Sequence, residues 1–397
     1  MRPTFLEIPL DVQTELLRSP KQMAGLVYEK HRASRQQVKK VAEALSKARK
    51  RVIITGGGVL CSGAVTELQR VAEEYNIPVA TTITAKEAIY DASPLALGML
   101  NDEVARNMVQ KADIILAVGC RFAERSTSAW TLQIRGRLIH VDIDSKEIGK
   151  NYQTSIGIVS DAKHFLTALL EEGGDIGATD EEYLREIGRM RKERSGKYQE
   201  KLYSDKEPLK PQRVMAELNE LLPSRCVIAC DSGNNAWWPI MFLESRPGRR
   251  FIFPSGNVSM GFAFPAALGA RLAVENTICI TGDGGFMMQL AELATAAQED
   301  INISVIVLND GGYGAIRHYQ RFNYNERYVG VDLKNPDFAR LAETFDIEGI
   351  HVQSCKELQP SLRHALNSKR TTVLDIQIDP HEVALPDWII KSFGKGG

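Results

Sequence analysis

The chain has 397 residues, of which 44% are hydrophobic and 25% charged, and its formal net charge is −1. This composition is typical of a soluble globular protein with sizeable cores. The balanced charge gives no sign of a nucleic-acid partner or an anionic membrane. No apolar run reaches the roughly 18 residues of a membrane helix, and no signal pattern is seen. The six cysteines lack CxxC spacing and mostly lie in apolar runs, so reduced core cysteines in a cytoplasmic protein are expected.

The first part of the chain alternates short apolar runs with helical patterns, which is typical of a parallel sheet covered on both faces. Strands are predicted at 51–58, 77–83, 112–119 and 137–144, and helices at 64–76 and 161–172. The next stretch, 173–210, is strongly charged and poor in apolar residues, which predicts an exposed helix and a linker.

A second alternating series follows the charged stretch. Strands are predicted at 226–231, 250–255, 277–283, 303–310, 348–353 and 371–379, and helices at 211–223, 264–274, 336–346 and 355–367. The expected fold class is therefore α/β, with two doubly wound parallel-sheet domains joined by a charged helical linker. The predicted bounds are 1–172 for the first domain, 173–210 for the linker, 211–385 for the second domain and 386–397 for a tail.

Two acidic, glycine-flanked turns stand out in the second series. "TICIT" leads into Gly282-Asp283-Gly284-Gly285, and "ISVIVL" leads into Asn309-Asp310-Gly311-Gly312. The carboxyl ends of parallel strands form one ligand-binding edge, so the two aspartates are expected to meet there. Two carboxylates facing a phosphate repel it and each other unless a divalent cation lies between them, and Mg²⁺ suits such oxygen ligands. The helix after the first turn is predicted to bury Phe286, Met287, Leu290, Leu293, Ala294 and Ala297.

The stretch "GDGGFMMQLAELATA…VIVLNDGGYGAIR" resembles the motif of thiamine diphosphate (ThDP) enzymes, in which GDG is followed by a helix, a strand and NN or ND. The resemblance implies that Asp283, Asp310 and the carbonyl of Gly312 bind Mg²⁺. It also places the backbone of the two turns against the diphosphate; the residues concerned are Gly282, Gly284, Gly285, Tyr313 and Gly314.

Two upstream segments extend the resemblance. "DSGNNAWW" is similar to the family's diphosphate-contacting "DVGxHQ" turn, and it contributes Gly233, Asn234 and Asn235. "SGNVSMGFAFPAALGA" is similar to "SGGLGTMGFGLPAAIGA". By this resemblance the Met260 side chain supports the bent cofactor, and the Val258 carbonyl and Met260 N–H meet its aminopyrimidine N4′ and N3′. Ser259 lies between them and is included in the predicted cofactor site.

The first half of the chain narrows the resemblance to acetohydroxyacid (acetolactate) synthase-like enzymes of branched-chain amino acid biosynthesis. It rests on "RPTFLEIPLDVQ", "SPLALGMLNDEVARNMVQKADIILAVGCRF" and "LIHVDIDSKEIGKN". The family's central domain often binds FAD, and the matching positions here are Gly56, Gly57, Gly58, Gly98, Met99, Leu100, Arg121, Phe122, Asp142 and Asp144. The glycine turn is not GxGxxG and also reads as a plain strand-to-helix turn, so both FAD binding and its absence stay open.

Family members also carry an N-terminal pyrimidine-binding domain, whose glutamate protonates N1′ of the cofactor. This sequence has no counterpart of that domain, and cofactor activation needs that acid. The expected partner is therefore a pyrimidine-domain subunit, or an N-terminal domain missing from a fragment, in a homo- or hetero-oligomer. The other interpretation is a non-catalytic protein that binds ThDP-Mg²⁺ or a nucleotide.

The resemblance implies decarboxylation and carboligation of 2-keto acid substrates. The family's acceptor-selecting Trp in "GMVxQW" corresponds to Tyr319 in "GAIRHYQRF", and Arg317 and His318 are expected on a solvated helix face. Because of this departure, 2-keto acid decarboxylases and sulfoacetaldehyde acetyltransferase-like enzymes remain alternatives to acetolactate formation.

Overall fold

The computed structural model describes residues 5–16, 31–385 and 389 of the chain. Contacts within the chain divide it into two units, Met1–Lys30 and His31–Gly397. The described part of the first unit contains one short helix, α1 at Leu10–Thr14. The predicted tail lies outside the described residues except for Ile389, which is buried.

Six parallel strands form the first sheet of the larger unit, in the order β3-β2-β1-β4-β5-β6. They are β1 Arg51–Thr55, β2 Val79–Thr81, β3 Ala96–Met99, β4 Ile114–Val118, β5 Arg137–Asp142 and β6 Ile156–Val159. The four predicted strands are confirmed. The prediction missed β3 and β6, because each is a four-residue run interrupted by a glycine and falls short of a strand signal.

Helices cover both faces of this sheet. Successive residues of a strand point to opposite faces, so each strand contributes side chains to both apolar clusters. Ile53 packs into one apolar cluster, while its neighbours Val52 and Ile54 pack into the other. The helices of this part are α2 Arg35–Ser46, α3 Gly57–Cys61, α4 Val65–Glu74, α5 Glu103–Lys111, α6 Glu124–Thr127 and α7 Ala162–Glu172, with a 3₁₀ helix at Ile83–Ala88.

The second sheet also has six parallel strands, in the order β11-β12-β10-β9-β7-β8. They are β7 Cys226–Cys230, β8 Arg249–Ile252, β9 Thr277–Gly282, β10 Ser304–Asn309, β11 Glu348–Val352 and β12 Thr372–Gln377. The surrounding helices are α9 Pro211–Leu221, α10 Asn234–Phe242, α11 Ala263–Arg271, α12 Asp283–Met287, α13 Glu292–Gln298, α14 Gly314–Asn323, α15 Phe338–Glu343 and α16 Cys355–Asn367. The predicted α/β class with two doubly wound sheets is confirmed.

One helix prediction in the second series was wrong in detail. The helix after the Gly-Asp-Gly turn is broken into α12 and α13, and its buried positions are Phe286, Leu293 and Ala296. Met287 is 40% exposed, and Ala294 and Ala297 are also exposed. The break changes the helical phase, so a single uninterrupted helical wheel assigns the wrong face.

The charged stretch forms a 22-residue helix, α8 at Glu181–Leu202, as predicted. The expectation that it is simply exposed was wrong, because Tyr183 and Ile187 are fully buried at one-turn spacing. The Tyr183 hydroxyl donates to the Met108 carbonyl at 2.5 Å. The exact domain limits stay a prediction.

All six cysteines are free, and Cys120, Cys226, Cys230 and Cys279 are buried, as their apolar surroundings in the sequence indicate. Within the described ranges, no helix is both long and apolar enough to cross a bilayer.

Candidate cofactor site

The two acidic turns lie side by side because β9 and β10 are neighbours, with Leu308 in register with Gly282. Asp283 is 1% exposed and the Asp310 side chain is 8% exposed. Burial, followed by the negative charge of Asp283, raises the pKa of Asp310 to about 7. Burial also raises the pKa of Asp283. Two buried carboxyl groups held this close favour a shared cation, as the sequence predicts.

Arg317 is the one cation that reaches this pair within the part of the chain that the structure describes. Its Nη1 lies 3.7 Å from Asp310 Oδ2 and donates to the Asp310 carbonyl at 3.2 Å, and its Nη2 donates to the Gly311 carbonyl at 3.3 Å. The predicted solvated face was wrong, since Arg317 is 9% exposed and His318 3% exposed. The polar composition of α14 hid this burial, because both side chains find backbone partners instead of water.

His318 shows how a polar side chain is accommodated inside. Its Nε2–H donates to the Pro380 carbonyl at 3.3 Å. Burial lowers the pKa of His318 to about 4, so the ring is neutral near pH 7.

Tyr319, the next residue of α14, packs against Tyr324 with ring centroids 5.7 Å apart.

The turn after β7 is organised by Asp231, a residue that the sequence analysis did not single out. Its buried carboxylate accepts hydrogen bonds from Gly261 N–H at 2.9 Å, Ala263 N–H at 3.2 Å and Thr281 Oγ1 at 3.1 Å. A carboxylate that accepts several N–H and O–H bonds ties its donors into one arrangement. Asp231 therefore joins the Met260 loop to the strand that carries Asp283. Its position directly after an apolar strand was the available signal.

Asn235 links two predicted diphosphate turns to each other. In the orientation that pairs both ends of its amide, the nitrogen donates to the Ser232 carbonyl at 2.7 Å and the oxygen accepts from Gly282 N–H at 2.8 Å. Gly233 has φ +96°, a conformation that glycine adopts readily. The side chain of Asn235 thus holds the turns together.

The turns enclose a cavity of about 60 Å³ that gathers twelve of the fourteen predicted cofactor residues. The twelve are Gly233, Asn234, Asn235, Met260, Gly282, Asp283, Gly284, Gly285, Asp310, Gly312, Tyr313 and Gly314. Val258 and Ser259 do not line it, although Val258 has φ +55°, a strained value for a β-branched residue. In this measure a single water needs roughly 10–15 Å³, so the space suits an ion and a few oxygens.

Two residues missed by the sequence analysis supply unused donors to the cavity. Among the described residues, the Ser232 hydroxyl and the Trp238 indole N–H are buried without a hydrogen-bond partner, and both residues line the cavity. An orphaned buried donor is costly unless a ligand satisfies it. The backbone at Gly314 lies close to the Asp310 carboxylate, and an added methyl group there would overlap it. Carboxylates, free donors and bare backbone together suit a metal-bound anionic group.

The residues considered for FAD lie at or beside the carboxyl ends of strands in the first sheet. Gly58 N–H donates to the Gly119 carbonyl at 3.1 Å, and a methyl at Gly58 would lie 2.7 Å from Gly119 Cα. Close packing therefore accounts for the glycine turn of Gly56, Gly57 and Gly58.

The other positions of this set are scattered. Gly98 and Met99 line a separate cavity of about 470 Å³ between the two sheets. Leu100 and Phe122 are buried, and Arg121 is exposed. The Asp142 carboxylate accepts from Asp144 N–H at 2.9 Å, and burial raises the pKa of Asp142.

Comparison with known proteins defines the class of this chain. Residues 231–376 match the thiamine pyrophosphate enzyme C-terminal TPP binding domain, and residues 38–169 match the thiamine pyrophosphate enzyme central domain. The chain belongs to the thiamine diphosphate enzyme family, which confirms the resemblance seen in the motifs.

Within that family the chain is similar to acetolactate synthases. It is 37% identical over 368 residues to a probable acetolactate synthase large subunit of Methanocaldococcus jannaschii, covering 88% of this chain and 61% of that protein. It is 32% identical over 364 residues to the large subunit of Cyanidium caldarium, with 88% and 61% covered. It is 30% identical over 408 residues to the acetolactate synthase of Arthrospira platensis, with 97% and 69% covered. The chain thus spans about 61% of the length of the first two relatives.

Proposed function

We propose that this chain is the diphosphate- and Mg²⁺-binding part of a ThDP-dependent enzyme that decarboxylates a 2-keto acid and transfers the product in a carboligation, as in acetolactate synthesis. The observation that carries the proposal is the pair of buried carboxyl groups of Asp283 and Asp310. They face one cavity from adjacent strands, beside the unpaired hydroxyl of Ser232.

Each group around the cavity has a role in this proposal. Asp283, Asp310 and the Gly312 carbonyl would hold Mg²⁺, which is a hard cation that prefers oxygen ligands. The Ser232 hydroxyl and the backbone N–H groups beside it would donate to diphosphate oxygens. When bound, ThDP supplies the electron sink for decarboxylation. The protein's part is to bind and orient the cofactor, and Met260 would support its thiazolium ring from the wall of the cavity.

The proposed reaction also needs a carboxylic acid at N1′ of the cofactor. Around the described cavity the carboxyl groups are those of Asp283 and Asp310, and in this proposal both would hold the metal. A pyrimidine-binding domain, from a second polypeptide or a longer form of this chain, is therefore part of the proposal. Met287, Met288 and Ile316 are 40%, 50% and 47% exposed, and they offer apolar surface near the cavity for such a domain or a second copy.

FAD is not part of the proposal, because packing against Gly119 accounts for the glycine turn at Gly56 to Gly58. Tyr319 packs on Tyr324 and does not line the cavity around Asp283, so the proposal assigns it no role in choosing the acceptor. The proposal is accordingly a reaction class, and product analysis will identify the acceptor. The four buried cysteines support a reducing compartment such as the cytoplasm.

Two measurements test the proposal in sequence. Calorimetry should show ThDP binding to the purified chain with Mg²⁺ present and none after chelation. The chain alone should not turn over pyruvate, and it should gain CO₂ release when a pyrimidine-binding domain of an acetolactate synthase is added. Metal-independent ThDP binding would contradict the Mg²⁺ site, and turnover by the chain alone would contradict the need for a second domain.

A further inference from the structure

The segment Val331–Asn335, called here the crossing segment, lies against the turn that carries Asp310. The Val331 carbonyl accepts from Tyr313 N–H at 2.8 Å, and Leu333 N–H donates to the Gly311 carbonyl at 3.0 Å. Asp332 and Gly312 form an antiparallel bridge. Backbone bonds thus fix the crossing segment to both sides of Gly312.

The last residue of the crossing segment reaches both acidic turns with one amide. Asn335 Nδ2 donates to Asp283 Oδ2 at 2.6 Å and to Asn309 Oδ1 at 3.1 Å. Asn309 Oδ1 also accepts from Gly311 N–H at 3.2 Å, and Asn309 Nδ2 donates to Asp375 Oδ1 at 2.9 Å. This chain of hydrogen bonds connects the turn after β9, the turn after β10 and strand β12.

Asn335 is not needed to begin the helix that follows it. Asp337 caps α15, and its side chain accepts from Arg340 N–H at 3.0 Å. The amide of Asn335 therefore donates its hydrogen bonds to the two turns and does not cap the helix.

We propose that Asn335 is a positioning residue that fixes the rotation of the Asp283 carboxylate and the spacing of the two metal-binding turns. The inference rests on the proposed function, because it concerns the Mg²⁺ that Asp283 and Asp310 would share. Mg²⁺ demands near-octahedral geometry, whereas Ca²⁺ accepts variable ligand number and direction. Loss of a fixed carboxylate orientation should therefore weaken Mg²⁺ more than Ca²⁺.

The test titrates Mg²⁺ or Ca²⁺ into the full chain at fixed ThDP concentration and follows cofactor binding by calorimetry. Asn335→Ala should raise the Mg²⁺ concentration required by about 10–100-fold, the usual cost of losing a partner of a metal ligand. The Ca²⁺ requirement should rise by a smaller factor. Asn335→Leu keeps the approximate size of the side chain, removes the donor and adds no charge, so it should show the same selective loss even if the alanine variant folds poorly.

Lys334→Ala is the matched control, because Lys334 is the adjacent exposed residue and should leave both requirements unchanged. An unchanged Mg²⁺ requirement in both Asn335 variants would overturn the inference. Equal losses for Mg²⁺ and Ca²⁺ together with a lowered melting temperature would show a general structural role and would also overturn it. A wild-type chain that binds ThDP without any metal would refute the proposed function itself, and this inference with it.

Discussion

The carboxyl edges of the two sheets begin from the same local pattern and end in different structures. Each has a buried strand followed by consecutive glycines. After β1, the glycine turn is filled by the backbone of the neighbouring turn at Gly119 and Cys120. After β9, the turn faces a cavity, and the neighbouring turn contributes the carboxylate of Asp310.

The difference shows that glycines after a strand can serve either packing or binding, and that the neighbouring strand decides which. In the first sheet the Asp142 carboxylate accepts a bond from Asp144 N–H, two residues away. In the second sheet two carboxyl groups compete for one buried space and leave room for a cation. Arg317 lies 3.7 Å from one of them, so one cation serves two buried carboxyl groups, and such an excess of buried acid is the better marker of a site.

The largest effect is expected from removing one metal carboxylate. Asp283→Ala should weaken Mg²⁺-dependent ThDP binding by roughly 100-fold or more, at or above the 10–100-fold typical of outer-shell losses. Calorimetry at saturating Mg²⁺ measures this. Asp142→Ala, the corresponding acid of the first sheet, should bind ThDP like the wild type. Equal losses in the two variants would remove the contrast between the sheets.

Alanine substitutions at the glycines should distinguish a packing role from a role in ThDP binding. A methyl at Gly58 would lie 2.7 Å from the Gly119 Cα, and backbone cannot yield easily. Gly58→Ala should therefore lower the free energy of unfolding by about 1–3 kcal/mol, as denaturant titration would show. Gly314→Ala should instead displace the Asp310 carboxylate and weaken ThDP binding with a smaller change in stability. Gly188→Ala is the control, because nothing lies near that position in α8.

A third effect, confined to acidic pH, concerns a buried histidine in each half. Burial lowers the pKa of both His140 and His318, the latter to about 4. The unfolded chain therefore binds more protons than the folded chain between about pH 6.5 and 4. Stability should be complete above this window and fall as the pH falls through it, with His318 contributing up to about 3 kcal/mol.

His318→Gln should flatten this part of the stability curve, which urea unfolding at several pH values would measure. A slope as steep as that of the wild type would show that His318 is not the group responsible. His31→Gln is the control, because His31 is exposed.

The sequence predicted the sheets because their strands are continuous apolar runs, and it predicted that Asp283 and Asp310 meet because both follow such strands. It could not predict the role of Asp231 or Asn335, whose partners described above lie 26 to 52 positions away along the chain. Nor could it predict the burial of Arg317, since a charged helix position is buried only where carbonyl and carboxylate partners happen to converge. Long-range hydrogen bonds are set by the fold and leave no local pattern.

Helix α8, formed by the charged stretch, contacts both halves of the larger unit. Arg194 pairs with Asp102 beside the first sheet and donates to the Met241 carbonyl beside the second at 3.2 Å. Arg191 donates to the carbonyls of Asp91 and Ser93 at 2.6 Å. The helix that the charged composition predicts as an exposed linker is thus attached to both halves of the larger unit. A break of the chain within α8 would disturb both halves. Experiments that aim to separate the halves should therefore divide the chain at another point.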